Sequence, residues 1–87
     1  MTATPNLFIQ SVSMGTTTIT NPVLLLKVDG VAYPNGYRIN YTNSSSRNFY
    51  PVWNSSTGEI RLYCQAVAYD ITLPNISLGT VEVFIGS

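Results

Sequence analysis

The chain has 87 residues, of which four are Lys or Arg, four are Asp or Glu and none is His, giving a formal net charge of zero. Charged residues make up 9% of it, against roughly 25% in an ordinary soluble domain. That composition removes most side chains able to do acid–base, metal or phosphate chemistry, and gives no electrostatic pull on nucleic acid or acidic lipid.

The length fits one domain, residues 1–87, with residues 1–5 expected to be a flexible N-terminal arm. Polarity falls on neutral groups, with eight Asn, nine Ser and ten Thr. The lone Cys64 allows no internal disulfide, so a small core must stand without a covalent staple. The N-terminus lacks the basic and apolar regions of a secretory signal, and the longest strongly apolar run, Val23-Leu24-Leu25-Leu26, is far too short to span a bilayer.

In chain order, short strand-forming runs alternate with Gly, Pro and Asn turns, and no long window has a helical apolar face. The first run covers residues 7–12 and closes near Met14-Gly15. The Thr-rich stretch 16–20 suits an exposed or edge strand, and Asn21-Pro22 ends it. Residues 23–28 are apolar on both faces as far as Lys27, which reads as a central strand. Asp29-Gly30 then marks a tight hairpin, because both positions tolerate positive φ. After the short arm Val31-Ala32-Tyr33, Pro34-Asn35-Gly36 forms another turn. Residues 37–42 alternate, with Tyr37, Ile39 and Tyr41 on one side and Arg38, Asn40 and Thr42 on the other.

Residues 43–48 are the longest polar stretch and read as an exposed loop. Residues 49–53 are aromatic and β-prone, with Pro51 confining them to an edge or a bulge. Residues 54–58 read as a hairpin loop closed by Gly58. The longest strand candidate, 59–69, points Ile60, Leu62, Cys64 and Ala66 inwards and Arg61, Tyr63 and Gln65 outwards. Asp70 to Pro74 crosses over, and a last pair, 76–78 and 81–85, is joined by Gly79-Thr80. The expected fold is therefore all-β: a small antiparallel β-sandwich or barrel of seven to eight short strands, without a disulfide. Its open edges are expected near 7–12 and 81–85, where a partner strand could pair.

Catalysis has little to work with. With no His and a single Lys, Lys27, a Ser or Cys nucleophile lacks its usual base. The four acids are scattered; Asp29 reads as a turn residue, and Glu59 and Glu82 as surface polarity. Cys64 alternates with Leu62 and Ala66 and reads as a small buried hydrophobe. Nothing suggests a metal site or cofactor. The four N-x-S/T triplets, at Asn40, Asn43, Asn54 and Asn75, read as turn chemistry.

Six of the ten aromatics lie between residues 33 and 53. Some must be core, and others are free to form a contact surface, since Tyr, Trp and Arg dominate binding hot spots. The candidate contact residues are Tyr33, Tyr37, Arg38, Tyr41, Arg47, Tyr50 and Trp53. Interface cores are depleted of charge, and this stretch carries only Arg38 and Arg47. A Tyr and Trp surface amid Asn and Ser also suits a glycan or cell-surface ligand, the alternative reading.

The segment Ile71-Thr72-Leu73-Pro74-Asn75-Ile76-Ser77-Leu78-Gly79-Thr80-Val81-Glu82-Val83-Phe84 is similar to closing strands of tail-associated β domains. With its initiator Met and Thr/Ser/Asn/Tyr-rich strands, the chain resembles small structural proteins of tailed bacteriophage virions, such as head-decoration and tail- or fibre-associated domains. The resemblance implies a non-enzymatic protein made in the host cytoplasm and carried in the virion. It would dock in multiple copies on capsid or tail proteins, as a homo-oligomer, with no nucleic-acid partner and no membrane insertion.

Overall fold

The computed structural model describes residues 1–7, 9–40, 46–66 and 77–87. The fold is all-β. In chain order the strands are β1 (Thr2–Ala3), β2 (Ser11–Thr16), β3 (Val23–Val28), β4 (Val31–Ala32), β5 (Tyr37–Asn40), β6 (Ser46–Trp53), β7 (Glu59–Ala66) and β8 (Val81–Gly86). They form two four-stranded antiparallel sheets, in the orders β1-β8-β3-β4 and β2-β7-β6-β5. The sheets pack face to face as a sandwich and do not close into a barrel.

The core is the period-2 alternation of both sheets meeting in the middle. The first sheet contributes Leu26, Val28, Val81 and Val83, and the second contributes Met14, Phe49, Ile60 and Leu62. Leu7 and Leu78, both outside the strands, plug the same core. Each such side chain stabilises the fold by about 1.5–3 kcal/mol through removal from water.

Local turn chemistry appears where the residues demand it. Asp29 and Gly30 have φ of 50° and 83°, the left-handed pair that a two-residue hairpin needs to match strand twist. The chain then pairs Val31 with Val28. The Gly36 N–H donates to the Tyr33 carbonyl at 3.2 Å and closes the Pro34-Asn35 turn, at which the chain leaves the first sheet for the second. The 54–58 loop also forms as expected: Gly58 N–H bonds the Asn54 carbonyl, and Asn54 N–H bonds the Glu59 carbonyl, each at 2.8 Å.

Several expectations are corrected. The first long strand starts at Ser11, because Leu7 is spent on the corner between the sheets and Asn6 makes an isolated bridge to Ser77. A bulge between Ser13 and Gly15 then turns Met14 into the core. Of the Thr-rich stretch only Thr16 is strand. The Thr17 N–H bonds the Gly58 carbonyl at 2.9 Å, and its hydroxyl accepts the Ile19 N–H at 3.1 Å, a local bond that competes with a ladder. The first five residues are not a free arm: β1 pairs with β8, Met1 accepts the Val83 N–H and Pro5 accepts the Leu78 N–H, each at 2.9 Å.

The polar stretch 43–48 is not a loop throughout. Ser46, Arg47 and Asn48 belong to β6, with Ser46 and Arg47 buried, while 43–45 lie outside the described residues. β6 runs between β5 and β7, so Pro51 does not lie on an edge strand as expected. Its tolerance is nonetheless local. β5 ends at the Tyr37–Phe49 pairing, and by alternation the missing Pro51 N–H faces the side that β5 leaves open.

Of the two expected edges, the one near 7–12 is present in β2, which starts at Ser11, and the one at 81–85 is not an edge. β8 lies between β1 and β3, so it is not an outer strand; the outer strands are β1 and β4 in one sheet and β2 and β5 in the other. Only beyond Val83, which bonds Met1, does the β1 flank of β8 lack a pairing strand among the described residues. Of the expected 76–78 strand, residue 76 lies outside the described residues, and Ser77 and Leu78 do not pair with β8: Ser77 bridges Asn6, Thr80 is held by Asp29, and β8 pairs with β1 and β3. The β7 reading holds from Glu59 to Ala66, and residues 67–74 lie outside the described residues.

Candidate functional site

Two sheets packed on one core leave two outer faces, pointing away from each other. On the first sheet, alternation sends Leu24, Leu26 and Val28 inwards and Val23, Leu25 and Lys27 outwards. Their partners on β8 follow: Leu25 lies opposite Phe84, and Lys27 opposite Glu82. Val23 is 64% exposed and Phe84 47%, although both are apolar. The Lys27 Nζ sits 4.9 Å from the centroid of the Phe84 ring, so its charge covers an aromatic face instead of breaking the apolar strip.

The outer face of the second sheet has the opposite character. Strand register aligns three rungs across it. Ser13, Arg61 and Val52 form one, Ser11, Tyr63 and Tyr50 the next, and Gln65, Asn48 and Arg38 the third. Tyr50 and Tyr63 are direct cross-strand partners, and their rings stack with centroids 6.1 Å apart and planes 21° from parallel. Such a pair contributes about 0.5–1.5 kcal/mol beyond its area. Arg61 is held on both sides, with Nε and Nη2 donating to the Ser11 hydroxyl at 3.2 and 3.0 Å and Nη1 lying 3.4 Å from the Glu59 carboxylate. The Ser13 hydroxyl also donates to Glu59, at 3.0 Å.

The sequence-derived contact residues do not gather on one surface. Tyr33 and Tyr37 sit at the crossover from the first sheet to the second, partly buried against the core, with ring centroids 4.7 Å apart at 60°. Arg38 is exposed on β5, and its Nη2 donates to the Ser46 hydroxyl at 3.1 Å. Arg47, one residue out of phase with Asn48, points inwards and is only 4% exposed, with Nη1 donating to the Cys64 sulfur at 3.5 Å. It therefore does not present itself on the outer surface. Tyr50 is on the outer face and half-buried. Trp53, opposite Ile60, packs against the core, and its buried indole N–H has no hydrogen-bond partner among the described residues. Tyr41 lies outside the described residues.

Residues absent from that set are as exposed as those in it. Tyr63 is 38% exposed and completes the Tyr50 pair; its outward direction was legible in the β7 alternation, but its partner was not. Val23, Leu25 and Phe84 are also outside that set. The signal was there: a strand apolar on both sides, set in a two-layer sandwich, has only one buried side.

Among the described residues no group of three or more His, Cys, Asp or Glu comes together to hold a metal ion, and no helix is long and apolar enough to cross a membrane. These faces offer apolar contact, ring stacking and hydrogen bonding. No family model matches the chain, and no curated protein or solved structure matches it either.

Proposed function

We propose that the chain is a non-enzymatic structural protein of a bacteriophage virion, docking in multiple copies on a capsid or tail. The observation that supports this reading best is the apolar outer face of the first sheet. Val23, Leu25 and Phe84 form a strip there, beside a length of β8 whose backbone edge has no pairing strand among the described residues. Apolar side chains next to unpaired strand groups favour burial under a partner that offers apolar surface and an extended edge, as a protein assembly does.

The zero net charge points the same way, since little self-repulsion opposes close packing of copies. The absence of His and the single Lys support a role without catalysis. The resemblance of the 71–84 segment to tail-associated strands supplies the virion context.

The test is cosedimentation of the purified chain with heads and with tails of the particle whose genome encodes it, alongside light scattering up to about 1 mM. Saturable binding to one fraction, in many copies per particle, is the expected result. A strictly monomeric protein that binds neither fraction defeats the proposal. Phe84→Thr with Val23→Thr should weaken binding while leaving the circular dichroism spectrum unchanged.

A further inference from the structure

We infer that the outer face of the second sheet is a binding site for an acidic oligosaccharide, with Tyr50 and Tyr63 supporting a pyranose ring and Arg38 taking the carboxylate. This site lies on the far side of the core from the docking strip and does not depend on it.

The face leaves several polar and aromatic groups unused. The stacked Tyr50–Tyr63 pair is outward, and Tyr63 is 38% exposed. Among the described residues neither Tyr hydroxyl is hydrogen-bonded, and neither are the side-chain amides of Asn48 and Gln65 on the adjacent rung. Two aromatic rings beside two free amides offer what a sugar presents: apolar C–H patches on the ring and neutral hydroxyls around it. An apolar protein partner would leave those amides without partners, at a desolvation cost.

Charge selects within the sugars. Of the three ionised side chains described on this face, Arg61 and Glu59 neutralise each other at 3.4 Å. Arg38 has no carboxylate within ion-pair distance among the described residues, and its recorded partner is the neutral Ser46 hydroxyl at 3.1 Å. Among the described residues, the face therefore carries one uncompensated positive charge, at its β5 edge. A guanidinium matches a carboxylate with two parallel hydrogen bonds, so a uronic or sialic type of sugar fits better than a neutral one.

The spacing sets the size. Arg38 is two strands and one rung from Tyr63, roughly 12 Å by strand separation and rise. An oligosaccharide covers that span and a monosaccharide does not.

The experiment uses the full chain, isotope-labelled, titrated with tetragalacturonate and sialyllactose as acidic probes and with maltotetraose as the neutral one. Amide and side-chain shifts should be confined to β5, β6 and β7, with acidic probes preferred. Tyr63→Ala should weaken binding by about tenfold or more, and Arg38→Gln should bring the acidic-to-neutral ratio to about one. The wild-type shift map needs no variant to fold. The inference is overturned if neither acidic probe shifts these strands, if the shifts map to Val23, Leu25 and Phe84, or if Tyr63→Ala and Arg38→Gln bind as wild type. Preferential binding of an apolar peptide to the second-sheet face overturns it as well. Val23→Thr with Phe84→Thr should bind the acidic probes normally, which separates this site from particle docking.

Discussion

Asp29 and Thr80 hold each other twice: the Asp29 N–H donates to the Thr80 carbonyl at 2.9 Å, and the Thr80 N–H donates to Asp29 Oδ1 at 3.0 Å. The pair continues the β3–β8 ladder one step past Val28 and Val81. A backbone carbonyl would normally accept the second bond. At φ 50° Asp29 has already turned into the hairpin, and its carboxylate stands in for that carbonyl. One residue thus supplies both the left-handed turn and the last rung joining β3 to β8.

Asp29→Ala should lower stability by about 1–2 kcal/mol, because the Thr80 N–H loses its acceptor and the turn loses a residue that tolerates positive φ. Asp29→Asn keeps an amide oxygen and the same tolerance, and should cost about 0.5 kcal/mol or less. Urea denaturation midpoints at constant slope distinguish the two.

Gly79 lies directly against that carboxylate. A Cβ added there would stand 2.5 Å from Asp29 Oδ2, and its φ is +84°. Gly79→Ala should therefore cost about 2 kcal/mol or more, from both the contact and the strained backbone. The contact part should shrink in an Asp29→Ala background. A double-mutant cycle should show coupling of at least about 0.5 kcal/mol, and strict additivity would contradict this account.

Ile60 and Leu62 are wholly buried, whereas Phe84 has nearly half its surface in water. Leu62→Ala should cost about 2–5 kcal/mol, enough to threaten a small domain with no disulfide. Phe84→Ser, a larger chemical change, should move the melting midpoint of the monomer far less, within about 0.5 kcal/mol apart from the lost Lys27 contact. Thermal melts at low concentration make the comparison.

The buried Trp53 indole N–H has no acceptor among the described residues. Trp53→Phe removes that donor and keeps most of the ring, so the gain from deleting an unsatisfied group, about 1–3 kcal/mol, opposes the loss of packing. A neutral or stabilising change is expected in chemical denaturation. A loss beyond about 2 kcal/mol would show that the N–H is satisfied, for instance by an ordered water.

The alternation of β7 and the turns at Asp29-Gly30, Pro34-Asn35 and 54–58 were legible because their causes are local. The sides of β6 were not. Ser46-Arg47-Asn48 looks like loop in composition, yet two bulky neighbours, β5 and β7, hold it in a ladder. That register, not the polarity of Arg47, turns its side chain into the core. Likewise Trp53 reads as a contact residue in isolation, and it becomes a core residue because it lies opposite Ile60.

By itself, then, the sequence determined the β class, the main hairpin turns and the near-absence of charge, all properties of single residues or of neighbours a few positions apart. Only the tertiary structure decided that β8 lies inside its sheet, that Tyr50 meets Tyr63, and that Val23, Leu25 and Phe84 share an uncovered face. Those outcomes depend on which strands pair and in what register, and register is set by burying both inner faces at once. A shift of one residue would exchange inside for outside along a whole strand, so neither outer face exists until the two sheets have chosen their common core.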